Sequence, residues 1–182
     1  MLVVSEHEQL PVQAARAGKA EAWNLLFKRY QLPLYTYVFE IVHQEQPSLD
    51  IVQETFINAT RYIGSLREDA KFGSWLFSIA HRNCISHWRK RRPEQVPIEG
   101  DDDSFADDEA SPAELLIRKE QEEEFMKALE QLAVPHRAVI LLHFVEDFPL
   151  EEIATITETP LGTVKSRLHY ARKALKDLME KR

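Results

Sequence analysis

A chain of 182 residues, 44% apolar and 29% charged, has the composition of a folded protein with room for one medium domain or two small ones. Its single cysteine, Cys84, excludes an internal disulfide framework and a four-cysteine zinc site, and its five glycines form no phosphate-cradling loop. The formal net charge of −7 argues on its face against nucleic acid as a partner, but the charge is unevenly placed.

Residues 71–92 hold six Lys/Arg and no acid, residues 93–124 hold thirteen acids against two bases, and residues 163–182 hold seven bases against two acids. Two basic blocks separated by an acidic one point to two anion-binding surfaces joined by a segment that repels the same target. No apolar run reaches the roughly 18 residues that a membrane span needs, so no membrane insertion is expected. Met1 to Leu10 carries Glu6 and Glu8 in place of the basic flank and apolar core of a signal peptide. A cytoplasmic protein is expected.

In chain order, Trp23, Leu26, Phe27, Tyr30, Leu34, Tyr37, Val38 and Ile41 recur at helical spacing, and Pro33 inside that stripe predicts a break or a kink. Leu49, Val52, Phe56, Ala59 and Ile63 form a second stripe, with Pro47-Ser48 as start and cap and Gly64-Ser65 as the stop. A short polar stretch, Leu66 to Lys71, leads to a third helix from Phe72 to about Arg92, whose Leu76, Ile79 and Trp88 are expected to be largely core. Residues 91–112 contain three prolines and eight acids, a composition that cannot bury a core and reads as a linker. The acids within it lack the order of a calcium loop.

Beyond the linker, residues 115–132 are amphipathic. Pro135 opens a helix over 136–145 and Pro149 opens a short one over 150–157. Thr159-Pro160 starts a last helix with Leu161, Val164, Leu168, Ala171, Leu175 and Leu178 on one side. Alternation long enough to build a sheet is absent. The fold class is all-α: two small helical domains, residues 1–92 and 114–182, joined by a flexible acidic linker over 93–113.

The last two helices and their tight connection fit a helix-turn-helix. Lys165, His169, Arg172 and Lys176 follow one another at offsets 4, 7 and 11, away from the apolar stripe, with Ser166, Tyr170 and Lys173 in the adjacent row. Early members of such a face reach base edges, and later ones meet phosphates. In the third helix, Phe72, Trp75, Phe77 and Trp88 interleave with Arg82, Asn83, Ser86, His87, Arg89 and Lys90. Aromatic faces among cations suit unstacked bases, and the polar loop Arg67 to Lys71 offers a pocket for an expelled base. His81, Cys84 and His87 spread across about 120° of that helix, too far apart to converge on one ion. On the residues alone, a stand-alone helix-turn-helix regulator remains open. It requires a dimer, and no dedicated dimer seam is evident. An enzyme ranks behind it, because no nucleophile–base pair or metal constellation is evident. Neither catalysis nor a cofactor is expected.

Three stretches, Asp50-Ile51-Val52-Gln53-Glu54-Thr55-Phe56, Phe72-Gly73-Ser74-Trp75-Leu76-Phe77-Ser78-Ile79-Ala80-His81-Arg82-Asn83 and Gly162-Thr163-Val164-Lys165-Ser166-Arg167-Leu168, resemble bacterial sigma factors of the extracytoplasmic-function group, initiation subunits of RNA polymerase. The resemblance covers about residues 20–92 and 114–180. It implies a region 2-like and a region 4-like domain that bind core polymerase, at the beta-prime clamp and the beta flap, and recognise promoter DNA. By the same resemblance, Asp50, Gln53, Glu54 and Asn58 form the polymerase-binding row. Lys71, Phe72, Trp75, Arg82, Asn83, Ser86 and Arg89 read the −10 element. Thr163, Lys165, Ser166, Arg167, His169, Tyr170, Arg172 and Lys173 read the −35 element, with Tyr170 standing where many relatives carry arginine. An anti-sigma factor is the regulatory partner implied.

Overall fold

The computed structural model describes residues 10–91 and 119–180, all helix, turn or connection with no strand. The chain divides between residues 96 and 97 into two compact units. The linker expected over 93–113 lies outside the described residues. No helix among those described is long and apolar enough to cross a membrane.

The first unit opens with a short helix, α1 (Val12–Arg16), which buries Val12 and Ala15. Gly18, at φ +79°, takes the left-handed conformation that turns the chain into α2 (Ala20–Val42). α2 runs unbroken through Pro33, so of the expected break or kink no break occurs. A proline inside a helix costs about 3 kcal/mol. Leu26, Tyr30, Leu34, Tyr37, Val38 and Ile41 all bury on one side of this helix. At roughly 1.5–3 kcal/mol for each large apolar side chain, that burial outweighs the defect. His43, left-handed at φ 53°, closes the helix by donating its N–H to Phe39 O at 2.7 Å.

α3 (Glu45–Tyr62) starts ahead of Pro47-Ser48. Ser48 is therefore not the cap; its hydroxyl donates back to Gln44 O at 2.6 Å inside the first turn. Two 3-10 turns, Ile63–Ser65 and Asp69–Lys71, carry the chain to α4 (Phe72–Arg91), where the sequence places it. The core lies between α2, α3 and α4. Tyr37 meets Phe77 at 5.5 Å between ring centroids, and Tyr30 meets Phe72 at 5.5 Å. At Gly73 a Cβ would stand 3.2 Å from Tyr30 Oη, so that glycine lets α4 approach α2 closely.

The second unit contains α5 (Lys119–Glu130), α6 (Val134–Ile140), α7 (Leu150–Thr157) and α8 (Leu161–Glu180). The helix expected over 136–145 is α-helical only as far as Ile140; residues 141–145 widen into a π turn. Glu146 N–H donates to Leu141 O at 3.0 Å, and Phe148 N–H reaches Leu142 O at 2.9 Å. Leu129, Ile140, Leu141, Leu142, Ile153, Ile156 and Val164 form the core. Arg137 is buried among them, where its Nη2 donates to Glu130 O and Leu132 O, both at 2.9 Å. That guanidinium satisfies carbonyls left open at the end of α5. Nothing in the local sequence marks it as structural.

Candidate nucleic-acid and partner interfaces

The spacing in α3 sends Ile51, Val52, Thr55, Phe56 and Ala59 inward, which leaves Asp50, Gln53 and Glu54 exposed and Asn58 half-buried on the outer side. Asp50 accepts a hydrogen bond from Gln46 Nε2 at 3.0 Å, one turn earlier. Beside this row, α2 and α3 leave an open groove of about 900 Å³ between them. Its walls include Phe27, Leu32, Tyr35, Leu49 and Ile57, with Gln53 on the rim. Leu32 is 54% exposed and Ile57 48%. Phe27 and Leu49 were expected inside as members of the two stripes; both are exposed. The apolar surface of each helix is wider than the facing helix covers. Apolar Leu32 and Ile57, flanking stripes already complete, were the available signal. Contiguous apolar patches of this kind, rimmed by polar groups, are the surfaces on which proteins, membranes or ligands dock.

The connection before α4 is anchored by buried Leu66 and leaves Arg67, Glu68, Ala70 and Lys71 in solvent. Phe72 does not stand in solvent. It is 0% exposed, packed against Trp23, Tyr30 and Trp75. Its ring belongs to the core of the unit and has no face open to solvent. Trp75 is half-buried beside it. Farther along α4, Arg82, Ser86 and Arg89 are exposed, and Lys90 with them. Asn83 is half-buried and turns inward, its Nδ2 donating to Thr55 Oγ1 at 3.4 Å. Leu76 and Ile79 are core as expected, and Trp88 is half-buried.

His81 is buried, its Nδ1 2.7 Å from Tyr37 Oη. Burial pushes the Cys84 thiol up to about 12, so it is an inert core group at neutral pH. Among the described residues no three His, Cys, Asp or Glu side chains are grouped to hold a metal ion.

In the second unit α7 ends where Glu158 turns left-handed at φ 53°. Thr159 N–H reaches Ala154 O at 3.1 Å and Glu158 N–H reaches Thr155 O at 3.4 Å, a Schellman closure with glutamate in glycine's usual place. The hydroxyls of Thr157 and Thr159 lie 2.9 Å apart across the turn, and Thr157 also donates to Ile153 O at 2.8 Å. Val164 N–H donates to Pro160 O at 3.1 Å as α8 begins.

Val164, Leu168, Ala171 and Leu175 bury one stripe of α8. The opposite side presents Lys165, His169, Tyr170 and Lys173 as exposed and Thr163, Ser166, Arg167 and Arg172 as half-buried. The Ser166 hydroxyl donates to Thr163 O at 3.0 Å, and its oxygen retains acceptor capacity toward a base. All eight residues expected to read the −35 element therefore lie on one helix with solvent access. The seven expected for the −10 element do not: Phe72 is enclosed, and Asn83 is turned toward α3.

Two family descriptions match the chain: Sigma-70 region 2 over residues 26–94, and Sigma-70, region 4 over residues 122–175. The RNA polymerase sigma-H factor of Pseudomonas aeruginosa is 32% identical over 182 residues, spanning 96% of this chain and 94% of the relative. The ECF RNA polymerase sigma-E factor of Escherichia coli K12 is 31% identical, with 92% of each chain covered. Among solved structures, the sigma factor RpoE in complex with the anti-sigma factor NepR from Bartonella quintana matches with a TM-score of 0.63 at 27% identity, over 85% of this chain and 96% of that one. CnrH, solved with the cytosolic domain of CnrY, shares the fold at a TM-score of 0.69 and 20% identity, over 95% of this chain and 97% of that one.

Proposed function

The chain belongs to the extracytoplasmic-function group of the sigma-70 family, and on that premise we propose how its two units divide the work of an alternative sigma factor. Such a factor binds core RNA polymerase, recognises a promoter and starts DNA-templated transcription. The carrying observation is the occurrence, in one chain and in this order, of a region 2 match and a region 4 match.

The region 2-like domain, residues 1–92, docks on the beta-prime clamp of core polymerase through the α2–α3 groove and the Asp50, Gln53, Glu54 and Asn58 row. Its loop 66–71, with Lys71, Trp75, Arg82, Ser86 and Arg89, holds the melted −10 strand. Residues 93–113 form the acidic connection. The region 4-like domain, residues 114–182, lays α8 in the major groove at the −35 element and meets the beta flap. Thr163, Lys165 and Ser166, near the start of α8, reach base edges, while Arg172 and Lys173 meet phosphates. The net charge of −7 keeps the free chain from binding DNA indiscriminately, so polymerase delivers it. The chain works in the cytoplasm, uses no cofactor and carries out no chemistry of its own. An anti-sigma factor regulates it, by likeness to the Bartonella quintana relative.

Association with core polymerase tests this division. Ile57→Glu places a charge in the groove at an exposed site and leaves fold stability within about 0.5 kcal/mol. It weakens polymerase binding by about tenfold or more, equivalent to about 1.4 kcal/mol. Replacing Asp50, Gln53 and Glu54 together with alanine produces a smaller loss. Unchanged association in both variants moves the docking surface elsewhere.

A further inference from the structure

α1 takes no part in the proposed contacts, yet it holds the loop that does. We propose that Arg16 is a positioning residue for capture of the melted strand: as the last residue of α1 it clamps the loop 66–71 in its receptive shape, an inference that rests on reading that loop as the −10 site. Arg16 Nη2 donates to Leu66 O at 3.1 Å and to Asp69 Oδ1 at 2.8 Å, joining points 50 and 53 residues apart in sequence. α1 is itself fixed. Val12 and Ala15 are buried, and Ala15 O accepts the Trp23 indole N–H at 3.0 Å. The same indole meets Phe72 edge-on at 6.4 Å, immediately beyond the loop. Both ends of the loop are thus braced, one by Arg16 and the other by Trp23.

The clamp has little to do with holding the domain together. Both side chains of the pair are about one-third exposed, at 34% and 32%, and such surface pairs add little to fold stability. Its value lies in ordering the loop before a base arrives, which removes that ordering cost from strand binding. The pair also neutralises Asp69, which leaves Glu68 as the one carboxylate set against Arg67 and Lys71 in a loop that receives a polyanion.

These two effects of the pair predict opposite signs for one substitution. Were Asp69 only a repulsive charge, Asp69→Ala would tighten strand binding. As the anchor of a clamp, Asp69→Ala weakens it. The assay is holoenzyme assembled from core polymerase and the full chain, binding a fluorescent fork-junction DNA. The probe is chosen by wild-type holoenzyme from a pool with randomised single-stranded overhangs. Asp69→Ala weakens binding by roughly fivefold and Arg16→Gln by at least as much, since it also loses the bond to Leu66 O, and the double variant is no worse than Arg16→Gln alone because the Asp69 contact is already broken in it. The salt dependence keeps its wild-type slope, as it would not if Arg16 touched a phosphate. Core polymerase affinity and melting temperature, which a merely structural role would lower, stay at wild-type values.

Binding that is unchanged or tighter in Asp69→Ala overturns the clamp. Arg67→Ala and Lys71→Ala identify which idea has failed. If they weaken strand binding while Asp69→Ala does not, the loop is the −10 site and Arg16 does not position it. If all three leave binding unchanged, the −10 assignment falls and the clamp falls with it.

Discussion

α4 and α8 are both 20-residue helices that carry apolar and basic residues, yet they present themselves to solvent in opposite ways. α8 buries a single stripe and leaves its basic side open along its length. Over its first half α4 is largely enclosed, with Phe72, Leu76, Phe77, Ile79, Ala80 and His81 buried and Trp75 half-buried. Its exposed side chains come later, at Arg82, Ser86, Arg89 and Lys90. Apolar and basic residues on two helices of equal length thus give one helix with an open side and one that is mainly a core strut with an exposed loop at its N-terminal end. The difference is in the partners: α4 is packed between two long helices, while α8 lies over three shorter ones and keeps a free side.

The largest expected effect tests the buried half of that contrast. Phe72→Ala removes a fully buried aromatic and costs about 3–5 kcal/mol of stability in the first unit, measured by denaturant unfolding. A variant that kept wild-type stability and lost only strand binding would return Phe72 to the role of a base platform.

A smaller effect belongs to the second unit, where burial raises the Glu146 carboxyl from 4.5 to about 7. The native state then holds a proton that the unfolded chain has released, so stability is fullest below about pH 4.5 and declines as pH rises to about 7. The decline amounts to about 3 kcal/mol at most. Comparison with Glu146→Gln between pH 5 and pH 8 isolates it, because the variant lacks this decline. Parallel pH profiles for the two proteins would remove Glu146 as the cause.

The smallest effects separate the readers on α8. Arg172→Ala lowers promoter affinity evenly across sequences and reduces the salt slope by about 0.9, the signature of one lost phosphate contact. Lys165→Ala changes which −35 sequences are preferred. Identical behaviour of the two variants on every promoter would make α8 an electrostatic surface and erase its difference from α4.

Much of this protein was legible in the chain. Helical periodicity and turn residues located α4, α7 and α8, because a 3.6-residue repeat and a Pro or Gly boundary act locally. The charge blocks and the three motif stretches, in order, carried the family. Non-local packing decided the rest. Pro33 stays inside a helix because its neighbours bury enough apolar surface to offset the defect. Phe27 and Leu49 are exposed, and Phe72 is not, because a stripe shows only which side is apolar, while the partner helices set how much of it is covered. Asn83 bonds Thr55, Arg137 closes α5, and Arg16 reaches the loop 53 residues away; only the folded chain brings those groups together. Most helices, the charge blocks and the family follow from neighbours along the chain. The tertiary structure decided which side chains remain free to meet DNA or a partner, since burial depends on neighbours in space.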